Sequence, residues 1–174
     1  MHSGRPSLRL SGYDYAEAGA YFITTNTKNR LPILAEVRRR SVLLTSAGQV
    51  VRTVWLHLPR HYPHVSLDEF VVMPDHIHGI LILDPTPLGA AGLRPAAAEV
   101  KELEGAAEPG LPEIIRALKS FSARAINKAR NTPGAAVWQR GYHERVIRSD
   151  EELARLREYI VNNPERAALD ADGS

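Results

Sequence analysis

The sequence contains no cysteine, which excludes a disulfide framework and thiolate chemistry and fits a reducing compartment. No apolar run is longer than a strand, far short of the roughly 20 residues needed to span a membrane. The first residues, Met-His-Ser-Gly-Arg-Pro-Ser, lack the apolar core of a signal peptide. These absences make the cytoplasm the expected location. Net charge is also scarce, at +2 over 174 residues. With 44% hydrophobic residues, the chain has what one domain needs for a real core.

The charge that is present is unevenly placed. Residues 111–148 carry eight bases (Arg116, Lys119, Arg124, Lys128, Arg130, Arg140, Arg145 and Arg148) against Glu113 and Glu144, a balance of +6. From residue 149 onward there are seven acids against three bases. A basic patch on a near-neutral protein points to a polyanion. A charge run by itself is more often a solvated helix face.

Residues 20–27, Ala-Tyr-Phe-Ile-Thr-Thr-Asn-Thr, are β-branched and aromatic and predict a first strand. Residues 30–40 read as a loop. Leu43, Val50, Val51, Val54, Trp55 and Leu58 recur with helical spacing over 41–58, closed by Pro59 and Pro63. Val65 to Met73 and His76 to Leu83 read as an antiparallel hairpin across Pro74-Asp75. Residues 84–110 show no period and read as a mobile insertion, flanked in the domain plan by an arm at 1–18 and a disordered tail at 170–174.

Pro112 suits the first turn of a second helix running to about Arg130, and a fourth strand is expected over 142–148. Ser149-Asp150-Glu151-Glu152 is a capping box that starts a third helix at Asp150. Pro164 predicts its end near Asn163. The order β-α-β-β-α-β followed by a helix is the α+β, ferredoxin-like plan of an antiparallel sheet with helices on one face and an additional C-terminal helix. In that plan the strand beginning at His76 is central.

The richest stretch is Met73-Pro74-Asp75-His76-Ile77-His78-Gly79. Side chains alternate along a strand, so His76 and His78 share a face about 7 Å apart. Two imidazoles so placed can hold one divalent metal. Tyr159 and Asn163, four apart, share a face of the third helix. If that helix crosses the strand near the histidines, two imidazole nitrogens and an amide oxygen can bind Mg²⁺ or Mn²⁺, with Tyr159 as nucleophile. Each piece alone is weak, since a tyrosine on an amphipathic helix is as a rule a packing residue. Their order and spacing carry the inference. Asp75 is a candidate partner for an imidazole or a simple turn residue. His143 suits either DNA or a backbone partner. Tyr142 ranks below Tyr159 because no amide stands at helical spacing from it. His57, His61 and His64 span a turn with two prolines, which argues against a second metal site.

The chain resembles the single-tyrosine HUH transposases, and within them the REP-associated tyrosine transposases. The resemblance rests on residues 21–25 with Lys28-Asn29-Arg30, residues 71–80, Lys119-Ser120-Phe121, residues 138–148 (Trp-Gln-Arg-Gly-Tyr-His-Glu-Arg-Val-Ile-Arg) and residues 159–164 (Tyr-Ile-Val-Asn-Asn-Pro). It implies that His76 and His78 bind the metal, that Tyr159 is the nucleophile and that Asn163 falls where a third, amide ligand is placed. It implies strand transfer on single-stranded or hairpin DNA through a 5′-phosphotyrosine, with a REP-like palindrome as substrate and a homodimer or monomer as the working unit. Arg116, Lys119, Arg124, Lys128, Arg140, Arg145 and Arg148 are then expected to hold the DNA backbone, in a cytoplasmic, nucleoid-associated protein. The rival expectations are a non-catalytic nucleic-acid-binding module on the same fold and a replication-type nicking enzyme. Paired stacking aromatics of the RNA-recognition kind are not seen.

Overall fold

The computed structural model describes residues 18–38, 41–84 and 109–172. Residues 1–17 of the expected arm, most of the insertion and the last two residues lie outside them. Strands β1 (Gly19–Asn26), β4 (Val65–Val72), β5 (His76–Leu83) and β6 (His143–Ile147) form one antiparallel sheet in the order β4-β5-β1-β6. Between β1 and β4 come a short hairpin, β2 (Ala35–Arg38) with β3 (Ser41–Leu44), and helix α1 (Ser46–His61). Helix α2 (Leu111–Arg130) joins β5 to β6, and α3 (Asp150–Asp172) ends the described chain. This is the α+β, ferredoxin-like arrangement, with β5 and β1 at the centre.

Alternation along the two central strands separates packing from chemistry. Tyr21 and Ile23 of β1 and Ile77, Leu81 and Leu83 of β5 point into the main core. Val51, Trp55 and Leu58 of α1 and Ile114, Ile115, Leu118 and Ile126 of α2 meet them there. Gly79 faces the same way: a Cβ on it would lie 2.5 Å from the Trp55 ring. That ring stacks on Phe70 at 4.4 Å, so the missing side chain admits the indole to the sheet surface. Phe22, Thr24, His76 and His78 occupy the opposite face.

Four expectations on element bounds need correction. Residues 30–40 are not all loop and the first helix does not begin at 41. Ala35–Arg38 pairs with Ser41–Leu44, and α1 starts only after Thr45, whose hydroxyl accepts the Gly48 N–H at 3.2 Å. The helix also runs through Pro59 to His61. A proline in the last turn removes one N–H but leaves the Tyr62 N–H to reach Leu58 O at 2.9 Å.

Nor does α3 stop at Asn163. It passes Pro164 and includes 170–172 of the expected tail. The residues that follow the proline, Glu-Arg-Ala-Ala-Leu, are helix formers that sustain it despite one lost bond. The capping box forms at its start: Ser149 Oγ accepts the Glu152 N–H at 3.2 Å. The Glu152 carboxylate accepts from the Arg148 N–H, at 3.0 Å.

Candidate active site

β5 places His76 and His78 with ring centroids 4.7 Å apart and planes at 73°. Strand register supplies their neighbours. Thr24 of β1 lies directly opposite His78, and Asn26 opposite His76. Thr24 Oγ1 is 2.7 Å from His78 Nδ1, and the Phe22 ring stacks on the same imidazole at 5.4 Å. His78 is only 7% exposed. Burial, with smaller contributions from the neighbouring His76 and Arg30, lowers its pKa to about 4. His78 is therefore neutral at physiological pH and keeps a nitrogen lone pair.

His76 has a different partner. Its Nδ1 is 2.6 Å from Asp75 Oδ1, and a carboxylate can only accept, so Nδ1 carries the proton. The other Asp75 oxygen is 2.7 Å from Arg30 Nε. Asp75 thus bonds an imidazole, the alternative that the sequence left open beside a plain turn role.

α3 closes the site from above. Asp68 of β4 receives Arg157 Nε at 2.9 Å, which ties the helix to the sheet. Two residues on, the Tyr159 hydroxyl stands 3.5 Å from His78 Nε2, and its ring meets those of His78 and Phe22 edge-on. The structure therefore brings His76, His78 and Tyr159 of one chain together. Asn163 lies one turn further, 9% exposed, without a hydrogen bond to either histidine. Among the described residues no three His, Cys, Asp or Glu side chains gather to hold a metal. Two imidazoles with an amide nearby are the available set.

The basic residues divide between the layers of the fold. Arg116, Lys119, Arg124 and Lys128 are on α2, across the sheet from the histidines. Lys119 Nζ donates to Gln139 O at 2.6 Å and Gly141 O at 2.7 Å, and burial lowers its pKa. Arg116 pairs with Glu113, and the Arg124 guanidinium lies 4.8 Å over the Phe121 ring. Arg140 is exposed before β6 and Arg148 after it. Arg145 and His143 lie on the histidine face of β6, opposite Phe22 and Thr24, and Arg145 pairs with Glu152.

Tyr142 packs against the core beside α2, away from Tyr159. His61 and His64 turn to different partners, the Phe121 ring and Pro109 O. Sequence reasoning missed Thr24, whose contact depends on strand register, and the partnership of Arg30 with Asp75.

No family model matches the chain. An uncharacterized protein of Haemophilus influenzae is 34% identical over 162 residues, 92% of this chain and 88% of its own length. A second protein of that organism, named "Putative REP-associated tyrosine transposase", is 27% identical over 158 residues, 89% of this chain and 76% of its own. The solved structure of a REP-associated tyrosine transposase bound to a REP hairpin superimposes with a TM-score of 0.56 at 24% identity, covering 91% of this chain and 74% of that one. The chain thus shares the α+β fold of that solved transposase. Within that fold the named protein to which the chain is similar in sequence is the one called a putative REP-associated tyrosine transposase. Among the described residues no helix is long and apolar enough to cross a membrane.

Proposed function

We propose that the protein is a metal-dependent DNA strand transferase that uses Tyr159 as its nucleophile. The observation that carries this reading is the Tyr159 hydroxyl, 3.5 Å from His78 Nε2 beside the paired imidazoles. The phenolic oxygen bonds to a backbone phosphorus as the phosphorus–3′-oxygen bond breaks. The phenol proton leaves, the 3′-oxygen gains one, and the DNA 5′ end stays on the tyrosine. Attack by a second 3′-hydroxyl reverses the step at a new junction, so no external energy source is required.

His78 is too weak a base to take the phenol proton unaided. Burial lowers its pKa to about 4, which makes it a weak acceptor for a phenol proton. A divalent cation held beside the two imidazoles would favour the phenolate and offset charge on the phosphate. The residues fit one. Asp75 and Thr24 contact the two Nδ1 atoms, so the Nε2 atoms, that of His78 beside the Tyr159 hydroxyl, would be the donors, with Asn163 the candidate third ligand. Two nitrogen donors suit Mn²⁺ better than Mg²⁺.

The substrate in this reading is single-stranded or hairpin DNA. The related transposase seen bound to a REP hairpin supports it. Arg140, Arg145 and Arg148 would hold the backbone near β6. The α2 group of Arg116, Lys119, Arg124 and Lys128 would serve a duplex stem that wraps past the sheet edge. The test is a denaturing gel with labelled hairpin DNA from the gene's flanks and Mn²⁺. Tyr159→Phe should form no covalent adduct yet still bind DNA, with stability changed by less than about 0.5 kcal/mol. Tyr142→Phe should form the adduct normally. An adduct from Tyr159→Phe would refute the assignment.

A further inference from the structure

We propose that Arg30 is a positioning residue. Through Asp75 it fixes the proton of His76 on Nδ1 and so presents the Nε2 lone pair to the site. The chain of contacts is short and complete. Arg30 Nε bonds Asp75 Oδ2 at 2.7 Å, and Asp75 Oδ1 accepts from His76 Nδ1 at 2.6 Å. A second guanidinium nitrogen donates to Asn26 Oδ1 at 2.6 Å, and Asn26 lies opposite His76 in the sheet. A fork that grips both partners holds the carboxylate in one orientation.

Two independent features show that the turn is built to deliver this guanidinium. Asn29 and Arg30 both adopt left-handed backbone, with φ of 55° and 58°. Asparagine tolerates that conformation; arginine, with its Cβ, is strained there, and such strain persists where surrounding contacts enforce it. Those contacts are present. The buried Thr27 donates its hydroxyl to Leu31 O at 2.8 Å and its N–H to Asp75 O at 2.9 Å. Lys28 N–H reaches Val137 O at 2.8 Å. The strained turn and the Asp75 backbone are thereby fastened to one another.

The two histidines consequently differ. His78 faces a hydroxyl, which can donate or accept and leaves its tautomer open. His76 faces an anion, which permits one tautomer only. Without Arg30 the carboxylate can turn to solvent, and His76 can populate both neutral forms.

The test uses the full-length protein and two variants, Arg30→Gln and Arg30→Gly. Glycine removes the guanidinium and also relieves the left-handed strain. Nitrogen-15 spectra of the metal-free protein at neutral pH should show neutral His76 protonated on Nδ1 in the wild type and as a mixture of the Nδ1-H and Nε2-H tautomers in each variant. Mn²⁺ titration should show affinity weakened about tenfold or more in both, as expected when a ligand's partner is lost. The thermal midpoint of Arg30→Gly should stay within about 3 °C of wild type, because a lost exposed pair and relieved strain offset each other. Unchanged His76 spectra in both variants would overturn the proposal and make Arg30 a surface ion pair. The affinity arm rests on the metal reading above, and a wild type that takes up no Mn²⁺ would sink that reading. The metal-free spectra decide the proposal about Arg30 in either case.

Discussion

At the scale of single residues, the site is made by small differences in what faces each ring. Thr24 and Asp75 both meet an Nδ1, and only Asp75 dictates where the proton sits. Gly79, next to His78, serves the other face of the strand. Its absent side chain is the space in which Trp55 lies, with a virtual Cβ 2.5 Å from one ring atom and 2.7 Å from another. Gly79→Ala should therefore force the indole outward and destabilise the fold by about 1–3 kcal/mol, the usual cost of overpacking. Urea unfolding should show a lower midpoint with an unchanged slope. Equal stability would mean that Trp55 can move aside freely. Much of this residue level was legible beforehand. The shared face of His76 and His78 and that of Tyr159 and Asn163 follow from periodicity alone. The partners of the histidines were not legible, because Thr24 and His78 meet through a register that links positions 54 apart, and Arg30 reaches Asp75 only from left-handed backbone.

At the scale of elements, α3 decides whether the tyrosine and the histidines meet. Its attachment to β4 is the Asp68–Arg157 pair, at 2.9 Å. The Arg157 hydrogen bond holds the Asp68 carboxyl below its ordinary value of 3.8. The sign follows from linkage. In the acid range the unfolded chain binds more protons at this group than the folded one. The stabilisation is fully present above the ordinary value and is lost as pH falls through the lowered one. Asp68→Asn should thus lower the thermal midpoint near neutral pH by a few degrees. The gap from wild type should close as pH drops below about 4. A gap that persists undiminished in strong acid would assign the effect to packing.

Elements also show where sequence patterns mislead. β2 and β3 have four residues each and straddle a basic triplet, too short for alternation to stand out. Pro59 and Pro164 read as helix ends, yet each costs one N–H, and the helices continue. The long, apolar β5 was read with its observed bounds because its two faces are both buried.

At the scale of the whole molecule, the sheet is a partition with α1 and α2 on one side and α3 on the other. The basic residues lie on both sides, so one strand of DNA cannot touch them all by a straight path. Neutralising Arg140, Arg145 and Arg148 together should lower the magnitude of the log-log salt slope for single-stranded DNA by about 1 per lost phosphate contact. Neutralising Arg116, Arg124 and Lys128 should lower the slope for a hairpin with a long stem and leave that for a short single strand unchanged. Equal effects on both DNAs would place a single path across the molecule.

β5 alternates Ile77, Gly79 and Leu81 toward the core with His76, His78 and Ile80 toward the site. Its content and its length are therefore under unequal constraint. An exchange of one apolar side chain for another of similar volume disturbs one face alone. A single residue inserted or deleted between Asp75 and Gly79 would shift the parity of the strand, sending imidazoles toward Trp55 and aliphatic side chains toward Tyr159. Both functions of the strand would fail together. Drift within this lineage should thus register as substitutions in β5, while changes of chain length accumulate elsewhere.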